Sequence, residues 1–258
     1  MLKKLFVVGA ATALMLCEAN TSFAADVVPE PEAPDWTGIY LGGNVGYAAG
    51  HFGSQSVDFT SDGYDPGPDF SSSSSSDFIG GIHAGANYQI DQIVMGVEGD
   101  FQWTSLDQEN DGTLLFLGVP FGNSTTQMSE DVNWLASARL RVGYAAGDFM
   151  PYLTGGIAWA NIKYSGFVTN NVDAGGGPGP FSEKKNETGW VIGAGMEYKP
   201  FENWTIRAEY LHYDFGDSGT FVGDTNPTFV PGAAGVFDYG DTRIDVARIG
   251  VTYLFGGI

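Results

Sequence analysis

The feature that most constrains this chain is an alternation of polarity with a period of two. It recurs in eight segments: 36–49, 76–90, 93–105, 131–145, 150–163, 187–199, 203–215 and 242–255. In the third, Ile93, Met95, Val97, Gly99, Phe101 and Trp103 share one face, and Gly96, Glu98, Asp100 and Gln102 share the other. In the fourth, Val132, Trp134, Ala136, Ala138, Leu140, Val142 and Tyr144 oppose Asn133, Ser137, Arg139, Arg141 and Gly143. The sixth sets Trp190, Ile192, Ala194, Met196 and Tyr198 against Gly193, Gly195 and Glu197. A helix would scatter such residues around its circumference, so the pattern predicts strands.

The connections alternate too. Asp91-Gln92, Ala146–Phe149 and Pro200–Asn203 read as tight turns. The stretches near 50–75, 106–130, 164–186 and 216–241 are long and rich in Ser, Gly, Asp and Pro, and they read as loops. Short turns at one end and long loops at the other predict an eight-stranded antiparallel transmembrane β-barrel with short periplasmic turns and long extracellular loops. A soluble barrel of the lipocalin kind is the rival. Trp and Tyr at the ends of the apolar faces favour the membrane, where such residues form interfacial girdles. Charged residues make up only 16 % of the chain, below the roughly 25 % usual for soluble domains. The formal charge of −20 argues against nucleic acid as a partner.

The N-terminus predicts export. Lys3 and Lys4 precede the apolar run from Leu5 to Leu16, and Ser22-Phe23-Ala24 offers small residues where a signal peptidase reads. Residues 1–24 are therefore expected to be a cleaved signal peptide. The single cysteine, Cys17, lies within it, preceded by Leu16 where a lipoprotein site needs a small residue. Residues 25–35 form an acidic leader whose Pro29, Pro31 and Pro34 exclude helix and sheet interior. The barrel then occupies 36–258.

Strand parity places one set of charges inside the barrel: Glu98, Asp100, Arg139, Arg141, Glu197, Arg207, Glu209 and Arg248. Arginine facing lipid at the midplane costs about 2–4 kcal/mol, which sets the inward assignment. Counting residues from the short turns pairs Glu98 with Arg141, Asp100 with Arg139, Glu197 with Arg207 and Glu209 with Arg248. The expectation is a charge network that closes the lumen.

No catalytic constellation is legible. Of the three histidines, His51 is expected in a loop, His83 in the lumen and His212 near the outer end of the seventh strand. The nucleophile-elbow, metalloprotease and phosphate-loop patterns are absent. No metal or cofactor site is expected. The acidic residues Asp58, Asp62, Asp65, Asp69, Asp107, Asp111, Asp217 and Asp224 read as a solvated anionic surface rather than as a cation site.

Several stretches carry a family resemblance: Trp36-Thr37-Gly38-Ile39-Tyr40, Asp91-Gln92-Ile93-Val94 with Gly96-Val97-Glu98-Gly99-Asp100, and Ala138-Arg139-Leu140-Arg141-Val142-Gly143-Tyr144. Met150-Pro151-Tyr152-Leu153-Thr154-Gly155-Gly156, Gly193-Ala194-Gly195-Met196-Glu197 and Arg207-Ala208-Glu209-Tyr210 complete them. Through these stretches the chain resembles the small major outer-membrane β-barrels of alphaproteobacteria, the Brucella-type, porin-family surface proteins. The resemblance implies a non-enzymatic envelope role among outer-membrane lipid and lipopolysaccharide, with loops open to host surface molecules. Relatives of that family include proteins described as hemin-binding and as weak porins, so a narrow porin and a hemin receptor stand as alternatives. Gly250-x-x-Tyr253-x-Phe255 resembles the signal read by the barrel-assembly machinery, although here Gly256-Gly257-Ile258 follow the last aromatic residue.

Overall fold

The computed structural model describes residues 34–59, 69–116, 119–169, 181–222 and 235–256. The expected signal peptide and all of the leader except Pro34 and Asp35 lie outside the described residues, as does Gly175–Pro180, the Gly- and Pro-rich part of the loop expected near 164–186. Among the described residues every regular element is a strand: β1 (Gly38–Phe52), β2 (Gln55–Phe59), β3 (Asp69–Phe70), β4 (Ser73–Ile90), β5 (Ile93–Phe116), β6 (Val119–Tyr144), β7 (Phe149–Thr169), β8 (Phe181–Phe201), β9 (Trp204–Val222) and β10 (Gly235–Gly256).

All neighbours pair antiparallel. β1 pairs with β4 on one side and with β10 on the other, the latter in register from Gly38↔Gly256 to Phe52↔Thr242. Pairing therefore runs β1-β4-β5-β6-β7-β8-β9-β10 and back to β1, a ring of eight strands without a free edge. β2 continues the line of β1 along β10, and the short β3 pairs with β2.

The tight turns stand where the alternation placed them. Asp91-Gln92 joins β4 to β5, with Asp91 in the left-handed region (φ 53°). Gly147 (φ 62°) serves the β6–β7 turn, where a side chain would be strained. The opposite end departs from expectation. Strands of up to 26 residues extend far into the stretches read as loops, whereas about 9–11 tilted residues cross a bilayer. His51 and Ser73–Ser75 are accordingly in strands rather than loops.

Three irregularities explain why the extension was hidden. The register shifts between Val132 and Trp134 on β6, between Asp241 and Arg243 on β10, and the chain leaves regular pairing at Gly53-Ser54. An extra residue reverses which parity faces inward. Val132, assigned above to the outer face with Trp134, is in fact buried inside, and Asn133 faces out.

The distribution of polarity is that of a barrel in lipid. Phe78, Leu153 and Leu140 point outward and are 79 %, 69 % and 67 % exposed, while Arg139, Arg207 and Glu98 are buried. Exposed apolar surface on this scale demands a lipid or protein partner. Aromatic pairs collect near both ends of that apolar surface. Phe149 stacks on Tyr198 at 4.8 Å and Trp204 meets Tyr253 at 5.0 Å near the turns. Tyr47–Phe78 and Phe101–Trp134 lie toward the long-strand end, at 5.8 and 5.4 Å.

Candidate functional site

The interior is the candidate site, and it is filled in three layers. The first closes the short-turn mouth. Trp36, 1 % exposed, packs with Val94, Met150 and Tyr152. Its backbone N–H donates to Gln89 Oε1 at 2.9 Å, and Lys199 Nζ lies 5.6 Å from its ring.

The second layer holds all eight charges expected in the lumen. The structure brings them into one web. Glu98 is its hub and lies within ion-pair reach of all four arginines. Arg207 donates to both Glu98 oxygens at 2.6 and 2.9 Å. Arg139 donates to Glu98 Oε1, and Arg141 to Oε2 at 3.4 Å. Arg248 lies 3.8 Å away. The turn-counted pairs all fall within ion-pair distance: Arg141–Glu98 at 3.4 Å, Arg139–Asp100 at 3.3 Å, Arg207–Glu197 at 3.8 Å and Arg248–Glu209 at 2.6 Å. Pair-by-pair reading nevertheless misses the connectivity. The residue opposite Glu98 on β6 is Arg139, not Arg141. Arg141 makes its shorter bond to Glu197, 2.7 Å, and Arg248 also holds Asp100 at 3.0 Å. Planar guanidinium groups suit such sharing, because their five donors can serve several carboxylates at once.

Uncharged residues complete the web, and sequence reasoning did not single them out. Tyr40 Oη donates to Glu98 at 2.8 Å and Tyr152 Oη to Glu209 at 3.0 Å. The Arg141 guanidinium lies 4.2 Å from the Tyr152 ring centroid. Ser137 donates to Asp100, and Thr205 to Glu197 at 3.4 Å. Inward parity from Arg139 and Glu209 would have found Ser137 and Thr205. Lumenal glycines make room for the larger groups. A Cβ on Gly85 would stand 2.4 Å from the Tyr40 hydroxyl, and one on Gly195 2.5 Å from the Tyr152 ring. His83 is lumenal, as expected, between Asn44 (3.3 Å) and Thr252 Oγ1 (2.9 Å).

The third layer fills the extended end and is mainly apolar. Phe52, Val57, Leu106, Met128, Val132, Ile162 and Ile244 belong to one buried cluster. It includes an aromatic group in which Tyr164 meets Phe221 at 4.7 Å and Tyr239 at 4.9 Å, while Phe181 meets Phe237 at 4.6 Å. Buried carboxylates lie at this level too, Glu187 and, more deeply, Glu130. Glu130 is 1 % exposed, four residues beyond Trp134. It accepts from Thr242 Oγ1 at 2.6 Å and from Gln55 Nε2 at 3.5 Å. Burial pushes its carboxyl up to about 7; the two hydrogen bonds pull it back, and nearby Glu187 raises it further.

Outside the barrel, Asp245 accepts from Tyr210 Oη at 2.6 Å and from His212 Nδ1 at 2.7 Å, with His51 Nε2 at 3.5 Å. Parity alone does not bring these together, because the sequence pattern places His51 in a loop. Of the proposed assembly signal, Tyr253 and Phe255 face outward, 4.9 Å apart, and Gly250 is buried beside the stem of Arg207.

Comparison with known proteins places this architecture. The family model for the outer membrane protein beta-barrel domain matches residues 10–255. The chain is 36 % identical over 209 residues to a 31 kDa outer-membrane immunogenic protein of Brucella melitensis, covering 77 % of this chain and 82 % of the relative. It is 33 % identical over 226 residues to a 25 kDa outer-membrane immunogenic protein of Brucella abortus, covering 84 % and 86 %. Among solved structures it is similar to the outer membrane protein OprG from Pseudomonas aeruginosa, with a TM-score of 0.48, 16 % identity, and 86 % of this chain and 97 % of that chain covered. With eight strands closed in a ring, an apolar outer wall and a charged interior, this chain belongs to the outer membrane protein β-barrel family and resides in the outer membrane.

Proposed function

We propose that this protein is a structural barrel of the cell envelope, closed along its length, that carries a rigid extension and loops at the cell surface. The filled interior is the observation that carries this reading. Eight strands leave an interior just wide enough for side chains, and here three successive layers occupy it, ending in an apolar plug. A narrow porin needs a continuous polar path, which the aromatic cluster of Tyr164, Phe221 and Tyr239 interrupts. The reading is non-enzymatic, with membrane lipid and lipopolysaccharide around the barrel and host surface molecules as candidate contacts of the loops. Gly250, Tyr253 and Phe255 serve barrel assembly.

The test is a cell lacking the protein. It should become more sensitive to detergent, and the wild-type chain should restore resistance without changing the uptake rate of small hydrophilic solutes. Unchanged detergent resistance together with slower solute uptake would favour the porin instead.

A further inference from the structure

We infer that the outward face of the β7–β8 hairpin, just beyond the outer aromatic residues, docks the phosphorylated glycolipid headgroup of the outer leaflet. The inference rests on the outer-membrane reading with the long strands outside.

The paired residues on this face follow one another away from the membrane. Ile157↔Trp190 comes first, then Trp159↔Thr188, Asn161↔Asn186, Lys163↔Lys184 and Ser165↔Ser182. Ala158, Ala160, Ile162 and Tyr164, the residues in between, are buried inside, so this set points outward. Its order is apolar and aromatic, then amide, then ammonium, then hydroxyl. A glycolipid presents the complementary series: acyl chain, sugar with phosphate, further sugar.

Charge singles out the same place. The chain has 11 Lys and Arg against 31 Asp and Glu. Lys3 and Lys4 lie in the N-terminal segment, four arginines are in the lumen, and Lys199 stands near the β8–β9 turn. Of the four that remain, Arg243 is held by Asp241 (2.6 Å) and Asp214 (3.3 Å), and Lys185 by Glu187 (2.8 Å). Lys163 and Lys184 are left directly opposite each other on neighbouring strands. Like charges so placed repel. Asp131 answers Lys163 at 3.2 Å, but among the described residues no carboxylate lies within ion-pair distance of Lys184. A phosphate between the two ammonium groups removes the repulsion. Asp107 stands beside Asp131 on the β5–β6 side, which confines an anion to β7–β8.

The amides supply the sugar contacts. Asn133 Nδ2 donates to Asn161 Oδ1 at 3.4 Å, and Asn161 Nδ2 to Asn186 Oδ1 at 2.8 Å. The ladder ends at Asn186, whose own amide N–H groups point to no acceptor among the described residues. Trp159 and Trp190, 36 % and 45 % exposed, form the apolar foot of the site.

The experiment uses the refolded chain in detergent micelles, titrated with lipid A, dephosphorylated lipid A or phosphatidylglycerol. Bound lipid is counted by native mass spectrometry. The wild-type chain should bind lipid A saturably, and the double variant K163Q/K184Q should bind it about tenfold or more weakly, the loss of two ammonium contacts to an anionic headgroup. The charge-matched control K185Q/R243Q should stay within about twofold of wild type, since its cations are already held by carboxylates. Lys184→Gln alone removes no ion pair among the described residues and should weaken binding even if the double variant folds poorly. Equal binding of lipid A by wild type and K184Q, equal losses in the charge-matched control, or equal binding of phosphatidylglycerol would each overturn the site. A pore would show in conductance without altering these ratios, so failure here and failure of the closed-barrel reading are distinguishable.

Discussion

The two upper layers of the interior solve the same problem in opposite ways. The inner one buries eight charges and answers each with several partners; Glu98 alone reaches four arginines. The outer one buries hydrocarbon and aromatic rings, with Glu130 set among Gln55, Gln108, Thr242 and Glu187 and in no ion pair among the described residues. The difference follows from surroundings. The inner layer lies within the bilayer, where lipid takes the apolar side chains and polar ones turn inward. The outer layer stands in water, where the ordinary rule returns and apolar residues fill the inside. One barrel thus changes from inside-out to outside-in along its axis, and the change falls near the bulges at Val132/Trp134 and Asp241/Arg243.

If the inner layer is a web rather than four pairs, removing its hub should have the largest effect of any single change. Glu98→Gln leaves four buried arginines facing three carboxylates and should cost about 3–5 kcal/mol in reversible unfolding, the range for a broken buried pair. Arg141→Glu should be severe as well, and adding Glu98→Arg should recover only part of the loss, because Glu98 also serves Arg139 and Arg207. Strict additivity in that cycle would reduce the web to independent charges.

Damage to the outer layer should be smaller and local. Leu106→Ala opens a cavity in an apolar core and should cost about 2–4 kcal/mol. Hydrogen exchange should quicken in the extensions of β5 and β6 and stay slow around Arg139 and Arg207. Uniform loosening along the barrel would mean that the layers are not separable.

Glu130 offers a finer probe. Its folded-state value is raised to about 7 from an ordinary 4.5. The folded chain therefore holds this proton more tightly than the unfolded chain does. Its stabilisation is complete below about pH 4.5 and is lost as pH rises through about 7. Exchange in the outer extension, corrected for intrinsic rates, should accelerate across that window. Glu130→Gln should flatten the response; an unchanged pH profile in the variant would assign the effect elsewhere.

The smallest equilibrium effect is expected at the C-terminal strand. Phe255 faces outward and touches Tyr253. Phe255→Ala should lower the amount of barrel in the outer membrane while leaving the unfolding midpoint of correctly folded protein nearly unchanged. Normal levels in cells would remove the proposed assembly role.

The sequence made the inner layer legible and concealed the outer one, for physical reasons. In the bilayer every second residue must be apolar, so Leu140, Val142 and Arg139, Arg141 declare their faces without ambiguity. Above it the outward residues are polar and small, as at Ser129, Asn133, Ser165 and Ser182, and that texture also belongs to loops. Inward residues such as Met128 and Tyr164 then appear as isolated apolar positions, and on β6 an added residue at Val132/Trp134 reverses the parity of Met128. The membership of the web followed from parity. Its connectivity did not, because long arginine side chains reach past the residue opposite them.

The closed interior is the claim on which this account depends, and planar-bilayer conductance of the refolded wild-type chain tests it most directly. The account predicts no steady current at neutral pH, whereas a large, steady and voltage-independent conductance would contradict it.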